Sequence, residues 1–405
     1  MSVPFGQSVV EKAKELAGQG KDANQIAKIV FDQDGAGYNY GIGILLNNKG
    51  QAWPTSPTLL NRVRAELDNS VRGDYMNTTG LSGRLKEATL SWQRVPEQYW
   101  SQFSLMIPSD AGTGAVQSAI DMALVQHSAL NRIAVEELSW PAYKVIARIA
   151  RVGFSEFPIG GVMQETDTLP IYQAGPMNTT GRVQNAAVMT ERARTASEKG
   201  MPVLLDRAYT GFEYARLIGT ESYDTILRMS FETQIKPFID AGVPFWLCIS
   251  PTKAFVTFAL RPCGMILYYQ PPGSASSEAT TLMNAIMRAR GSSFEHPVSR
   301  AFARAMVEAR SDLEAEHLAV LERLAVAESL WRNLTTNTPL GAYFSDDYAG
   351  LFRNVQVREG ADAAIYDERL YPVFSSGRCR LNVTGIPADE SIARRHVAVF
   401  SSHCY

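Results

Sequence analysis

Between about residue 100 and about residue 270 the chain alternates short apolar runs with stretches whose apolar residues recur at helical spacing. Phe103 to Ile107, Thr168 to Tyr172, Met201 to Leu205, Val243 to Ile249 and Met265 to Tyr269 are short and apolar without alternation. That is the pattern of strands covered on both faces. Val116 to His127, Tyr143 to Arg151 and Val183 to Lys199 predict helices between them, the first with Ile120, Ala123 and Leu124 on one face. Strand and helix in alternation predict an α/β layer with a mainly parallel central sheet flanked by helices.

The flanks read differently. Val9 to Phe31 predicts a helical pair broken at Gly18 and Gly20, and Thr58 to Asn69 a short amphipathic helix. Tyr40 to Trp53 predicts a short strand with a turn at Asn47 to Gly50. Arg300 to Leu334 predicts one long helical stretch whose stripe, including Leu313, Leu321 and Leu324, faces core or an interface. After Pro339 short strands and turns alternate, and His396 to Tyr405 predicts a final strand.

With 405 residues, 45% apolar and 20% charged, the chain is long enough for more than one domain of ordinary globular type. A net charge of −2 gives no reason to expect nucleic acid or a membrane surface as partner. No apolar run approaches the roughly 20 residues of a membrane span. The start of the chain lacks the pattern of a signal peptide. The four cysteines and five histidines show no metal-ligand spacing. Reduced core thiols, a cytoplasmic location and no metal site are therefore expected.

Candidate chemistry gathers at predicted strand ends, where α/β sheets bind ligands. After Ile249, Ser250 and Pro251 lead to Lys253, and Arg261 follows eight residues on. A lysine leaving a buried strand is poorly solvated, which eases deprotonation and suits Schiff-base chemistry. The same spacing also fits a surface lysine beyond a core strand. Gly112, Thr113 and Gly114 form a turn between strand and helix, suited to a phosphate through free N–H groups. They form neither a dinucleotide fingerprint nor a P-loop. Asp206 closes a buried strand, where a carboxylate is costly unless it meets a cation or a protonated ring nitrogen. Trp140, Asn178 and Tyr209 fall at strand ends as well. Tyr75 stands in a polar, glycine-flanked loop. Arg380 and Asn382 share a strand face, where a guanidinium suits a carboxylate.

In this order the pieces resemble the aspartate-aminotransferase-like branch of fold type I enzymes, which use pyridoxal 5′-phosphate (PLP). The resemblance runs from about Tyr38 to about Ile386 and lies in motifs rather than in continuous similarity. It implies a large PLP-binding domain over residues 51–300. A smaller α+β domain would come from both chain ends, residues 1–50 with an N-terminal arm and residues 301–405. It implies that Lys253 forms the internal aldimine and shuttles the proton, with Gly112, Thr113, Gly114, Ser250 and Arg261 on the phosphate. Asp206 would pair with the pyridine nitrogen, Tyr209 and Asn178 would face the phenolic oxygen, and Trp140 would stack on the ring. Arg380 would bind the substrate carboxylate, with Asn178 also near the substrate. Gly43 would lie in the substrate loop, and Tyr75 would reach the phosphate of a neighbouring subunit in a homodimer.

Four features depart from the family pattern, one of them a residue inserted between Arg261 and Gly264. Asn178-Thr-Thr-Gly181 lacks the usual proline, and Tyr143 stands where a histidine is usual behind Asp206. Arg290, or less well Arg288, falls where an arginine selects a dicarboxylate, yet its surroundings match poorly. The implied activity is ping-pong amino transfer between an amino acid and a 2-oxo acid. A lyase or synthase acting by elimination, replacement or carbon–carbon bond formation through a quinonoid is the alternative. A PLP-binding regulator is disfavoured, because the stretch before Tyr40 is too short and too weakly basic for a DNA-binding module.

Overall fold

Strands that are apolar at every position have no face to give to solvent, so they pair at the centre of a sheet covered on both sides. The computed structural model describes residues 4–69, 81–106, 111–261, 264–273, 277–291 and 296–405. Its main sheet has seven strands: β1 (Phe103–Met106), β2 (Arg132–Glu136), β3 (Gly153–Phe157), β4 (Thr168–Gln173), β5 (Val203–Arg207), β6 (Phe245–Ile249) and β7 (Met265–Tyr269). Their order is β1-β7-β6-β5-β4-β2-β3. All run parallel except β7, which is antiparallel to both of its neighbours. Every residue of β4, β5, β6 and β7 is buried.

The two faces carry separate cores. Leu205, Leu247, Ile249 and Leu267 pack with Ala301, Phe302 and Met306 of the Pro297–Glu308 helix. Leu204, Trp246, Cys248 and Ile266 pack with Ala119, Ile120 and Ala123 of the Ala111–Gln126 helix and Ile146 of the Ala142–Ala150 helix. Alternation along each strand produces this division.

A second, three-stranded sheet is antiparallel, with β8 (Phe352–Gln356), β9 (Val373–Ser375) and β10 (Arg378–Asn382) in the order β9-β10-β8. Tyr38–Asn39 pairs in parallel with Leu370–Tyr371, joining early chain to late chain. The long Arg310–Thr335 helix lays Val320, Leu321, Leu324, Ala327 and Trp331 into a core shared with both. Among the described residues no helix is long and apolar enough to cross a membrane.

Several expectations are corrected. His396 to Tyr405 is not a strand but lies largely in the Glu390–His403 helix, started by Asp389, which accepts from the N–H groups of Ser391 and Ile392. Ala393, His396, Val397 and Phe400 are buried at the three- and four-residue spacing of a helix, which outweighs the β-branched character of Val397 and Val399. Arg300 to Leu334 is two helices, divided at Ala309. Tyr40 to Trp53 forms only a bridge between Leu46 and Ala52. The expected turn at Gly112 to Gly114 is the opening of the Ala111–Gln126 helix. Low glycine propensity hid that start, yet the first-turn N–H groups keep no intrahelical acceptor either way. β2 was expected only as a strand ending before Trp140, without bounds, and β3 (Gly-Phe-Ser-Glu-Phe) was not expected, because Ser155 and Glu156 interrupt its apolar run.

Arg353, buried on β8, fastens this part of the fold. It donates to the carbonyls of Tyr343, Ala349, Gly350 and Phe352 at 2.8–3.0 Å and to Glu328 at 2.6 Å. Glu328→Ala would strand that charge in the core, at an expected cost of about 3–5 kcal/mol in chemical denaturation. Glu390→Ala, which breaks an exposed pair with Arg394, is expected to leave the midpoint unchanged.

Candidate active site

Four parallel strands end at the same edge of the main sheet, and the side chains just past those ends line one cavity of about 590 Å³. Trp140 follows β2, Gln173 ends β4 with Asn178 beyond it, and Asp206 lies one residue from the end of β5, before Ala208 and Tyr209. Ser250, Thr252 and Lys253 follow β6. Ala111, Gly112 and Thr113 enter from the helix start, and Phe258 and Arg261 complete the wall.

Lys253 sits on a one-turn helix, Pro251–Ala254. Its Nζ donates to the Gly43 carbonyl at 2.7 Å and lies 4.6 Å from the centre of the Phe258 ring. Loss of solvation, helped by the charge of Arg380, pushes its pKa down to about 7. Val256, three residues on, is a buried β-branched residue with φ of 46°, a strained conformation.

Asp206 and Arg207 both lie within β5, which runs two residues past its expected end at Leu205. Each charge is held. Arg207 pairs with buried Glu213 at 3.1 Å on one face of the sheet. Asp206 accepts from the Tyr143 hydroxyl at 2.5 Å on the other. Burial raises the Asp206 pKa to about 6, against the opposing pull of the Tyr143 and Ala208 hydrogen bonds. Asn178 Nδ2 donates to the Tyr209 hydroxyl at 2.6 Å, and burial raises the tyrosine pKa.

At the other end of the cavity Gly112 touches Ser250 so closely that a Cβ there would lie 2.5 Å from Ser250 Cβ. Only glycine permits this approach. The backbone around Gly112, the Ser250 and Thr252 hydroxyls and the Arg261 guanidinium thus form a donor-rich end. Among the described residues the cavity is polar with convergent donors at one end, and aromatic and acidic at the other. A phosphorylated, flat heteroaromatic molecule fits that donor set.

Of the remaining expected residues, Gly114 is buried inside its helix and does not line the cavity. Arg380 lines an adjoining cavity of about 650 Å³ that shares Trp140. It donates to Asn24 at 2.8 Å and to the Gly41 carbonyl at 3.0 Å, while its buried Nε has no protein partner. Asn382 holds the same loop through the carbonyls of Ile42 and Ile44, each at 2.7 Å. Arg290 does not enter the cavity. It reaches the Gly114 carbonyl at 3.3 Å, Ser118 at 2.6 Å and Asp121 at 2.5 Å on the outside of the Ala111–Gln126 helix. Tyr75 lies outside the described residues. Sequence reasoning missed Gln173, Thr252 and Phe258; Gln173 could have been found from its place at a strand end, whereas Phe258 carries no signal.

A family model, aminotransferase class I and II, matches residues 109–337, more than half of the chain. The chain belongs to the class I and II aminotransferases. No curated protein matches it. Solved structures share the fold of this aminotransferase at low identity. An aromatic-amino-acid aminotransferase from Burkholderia pseudomallei, covalently bound to pyridoxal phosphate, is 15% identical with a TM-score of 0.76, over 94% of this chain and 97% of its own. A broad specificity aminotransferase from Leishmania mexicana is 17% identical with a TM-score of 0.75, over 94% and 95%. A cytoplasmic aspartate aminotransferase from Giardia lamblia is 15% identical with a TM-score of 0.72, over 94% and 96%.

The raised Asp206 pKa has a measurable consequence. The folded state holds the Asp206 proton more tightly than the unfolded chain, whose group titrates near 3.8. Stability is therefore greatest below that value, falls as pH rises toward about 6, and stays reduced above it. Asp206→Asn removes this slope and is expected to stabilise the ligand-free aminotransferase by roughly 2–3 kcal/mol at neutral pH. Denaturation midpoints compared at acid and neutral pH test it; equal midpoint shifts at both would refute it.

Proposed function

We propose that the chain is a PLP-dependent aminotransferase that moves an amino group from an amino acid to a 2-oxo acid in ping-pong fashion. One observation carries this reading: a lysine amine with its pKa pushed down to about 7 shares a cavity with a buried carboxylate on the neighbouring strand. When bound, PLP supplies a ring that draws electrons from the reacting carbon of the substrate.

Gly112, Thr113, Ser250, Thr252 and Arg261 would hold its phosphate, and Asp206 its ring nitrogen. Asn178 and Tyr209 would hold its phenolic oxygen, and Trp140 would cover a ring face. Lys253 Nζ, neutral in a large fraction near pH 7, can act as nucleophile and can take and return a proton at the substrate. The Phe258 ring, 4.6 Å away, would shield one side of that amine. Arg380 would grip a substrate carboxylate, a reading supported by its buried, unmatched Nε donor.

The domain division at residues 51–300, with 1–50 and 301–405 combined, is supported by the ladder between Tyr38–Asn39 and Leu370–Tyr371. A homodimer with sites completed across the interface and a cytoplasmic location belong to the same reading. Light scattering on the purified protein tests the dimer. The comparisons return aminotransferases, which favours transfer over the lyase or synthase alternative.

The deciding experiment is visible absorbance after PLP loading, wild type beside Lys253→Ala, before and after a panel of amino acids. Wild type should show a visible band that the variant loses or alters. One amino acid should convert it to the pyridoxamine spectrum, and a 2-oxo acid should restore it. No band in wild type would sink the assignment. Arg290 is committed to Ser118 and Asp121, so a neutral rather than a dicarboxylic substrate is expected. Arg290→Ala should leave the ranking of substrates unchanged; selective loss of aspartate and glutamate would contradict this.

A further inference from the structure

The side chains behind the cavity form one chain of hydrogen bonds whose direction is set by the main chain. The backbone N–H of Asn178 can only donate, and it donates to Gln173 Oε1 at 2.9 Å. That contact decides how the Gln173 amide is turned, so its Nε2, a donor, faces the Tyr143 hydroxyl at 3.4 Å. A hydroxyl that accepts a hydrogen bond from Gln173 must aim its own hydrogen elsewhere, and the acceptor is Asp206 Oδ2 at 2.5 Å. A proton on that oxygen would set two hydrogens against each other.

Gln173 and Asp206 are register partners on β4 and β5, and Asp206 is the partner of Cys248 on β6. The titratable groups facing Asp206 are Tyr143 from the Ala142–Ala150 helix, Cys248 from β6 and Tyr209 beyond β5. None is a cation. Burial raises the pKa of each of the three, so none lends or takes a proton near neutrality.

We infer that Gln173 and Tyr143 are positioning residues: starting from the Asn178 main chain, they hold Asp206 as a carboxylate in a fixed orientation, ready for a cationic N–H of the ligand. This rests on the PLP reading above. The chain also joins the two ends of the ring site, because Asn178 grips Tyr209 with its side chain and Gln173 with its backbone. Tyrosine at 143, in place of the family's usual histidine, gives a donor that does not titrate near neutral pH.

The test uses the full chain, with PLP as the probe. PLP affinity and the pH dependence of its visible band are measured for wild type, Tyr143→Phe and Gln173→Glu, with thermal midpoints alongside. Tyr143→Phe keeps the ring and removes the donor. It should weaken PLP binding on the order of ten-fold at neutral pH, with the deficit shrinking as pH rises and Asp206 ionises unaided. Gln173→Glu puts an acceptor where a donor stood and should weaken binding at least as much. If either variant fails to fold, Gln173→Met, which removes the donor without adding charge, should show the same pH-dependent deficit. Wild-type affinity and pH profile in the folded variants would overturn the inference, as would a loss equal at every pH, which marks packing alone. If wild type itself binds no PLP, the functional reading falls and this inference with it.

Discussion

A carboxylate inside a sheet covered on both faces is the constraint around which this site is arranged. Asp206 lies within β5, with fully buried strands on either side. No cation among the described residues pairs with it, so burial works against its charge and hydrogen-bond donors work for it. Tyr143, from a helix behind the sheet, and the Ala208 backbone are those donors. The arrangement sacrifices stability in the ligand-free chain for a carboxyl held away from water at the edge of the cavity. Such tension between stability and function is expected at active sites.

The rest of the fold serves to bring partners to that acid. Parallel strands deliver Trp140, Asn178, Tyr209 and Lys253 to one edge, although more than a hundred residues separate the first from the last. The antiparallel β7 lets β1 join the same sheet in the same direction as the others, so the helix that begins at Ala111 also opens onto that edge. Gly112 then supplies the close approach to Ser250 that a larger residue would prevent. From the second sheet, Arg380 and Asn382 reach across to the Gly41 to Ile44 loop.

Much of this was legible in the amino-acid order. The unalternating strands announced a doubly covered sheet, their ends pointed to Gly112, Asn178, Asp206 and Lys253, and Trp140 was placed at the end of a further strand whose bounds were not read. What failed has physical causes. Strand ends were placed too early at Leu205, because two consecutive charges read as a stop; Tyr143 and Glu213 compensate them from elsewhere in the chain, and tertiary partners leave no local trace. The last helix was read as a strand because Val397 and Val399 favour strands locally, whereas burial at helical spacing decided otherwise. Arg290 sits at a suggestive spacing, yet Asp121 captures it, and no single-sequence pattern announces such a capture.

The loop from Gly41 to Ile44 has a thermodynamic meaning beyond its geometry. Lys253 and Arg380 each give a hydrogen bond to one of its carbonyls rather than to bulk water. A ligand that calls on these two side chains therefore competes with main-chain acceptors already in place. Part of the desolvation of both side chains is done when the protein folds, which lowers the cost left for binding. The first segment of the chain thus serves as a stand-in ligand for the site it borders.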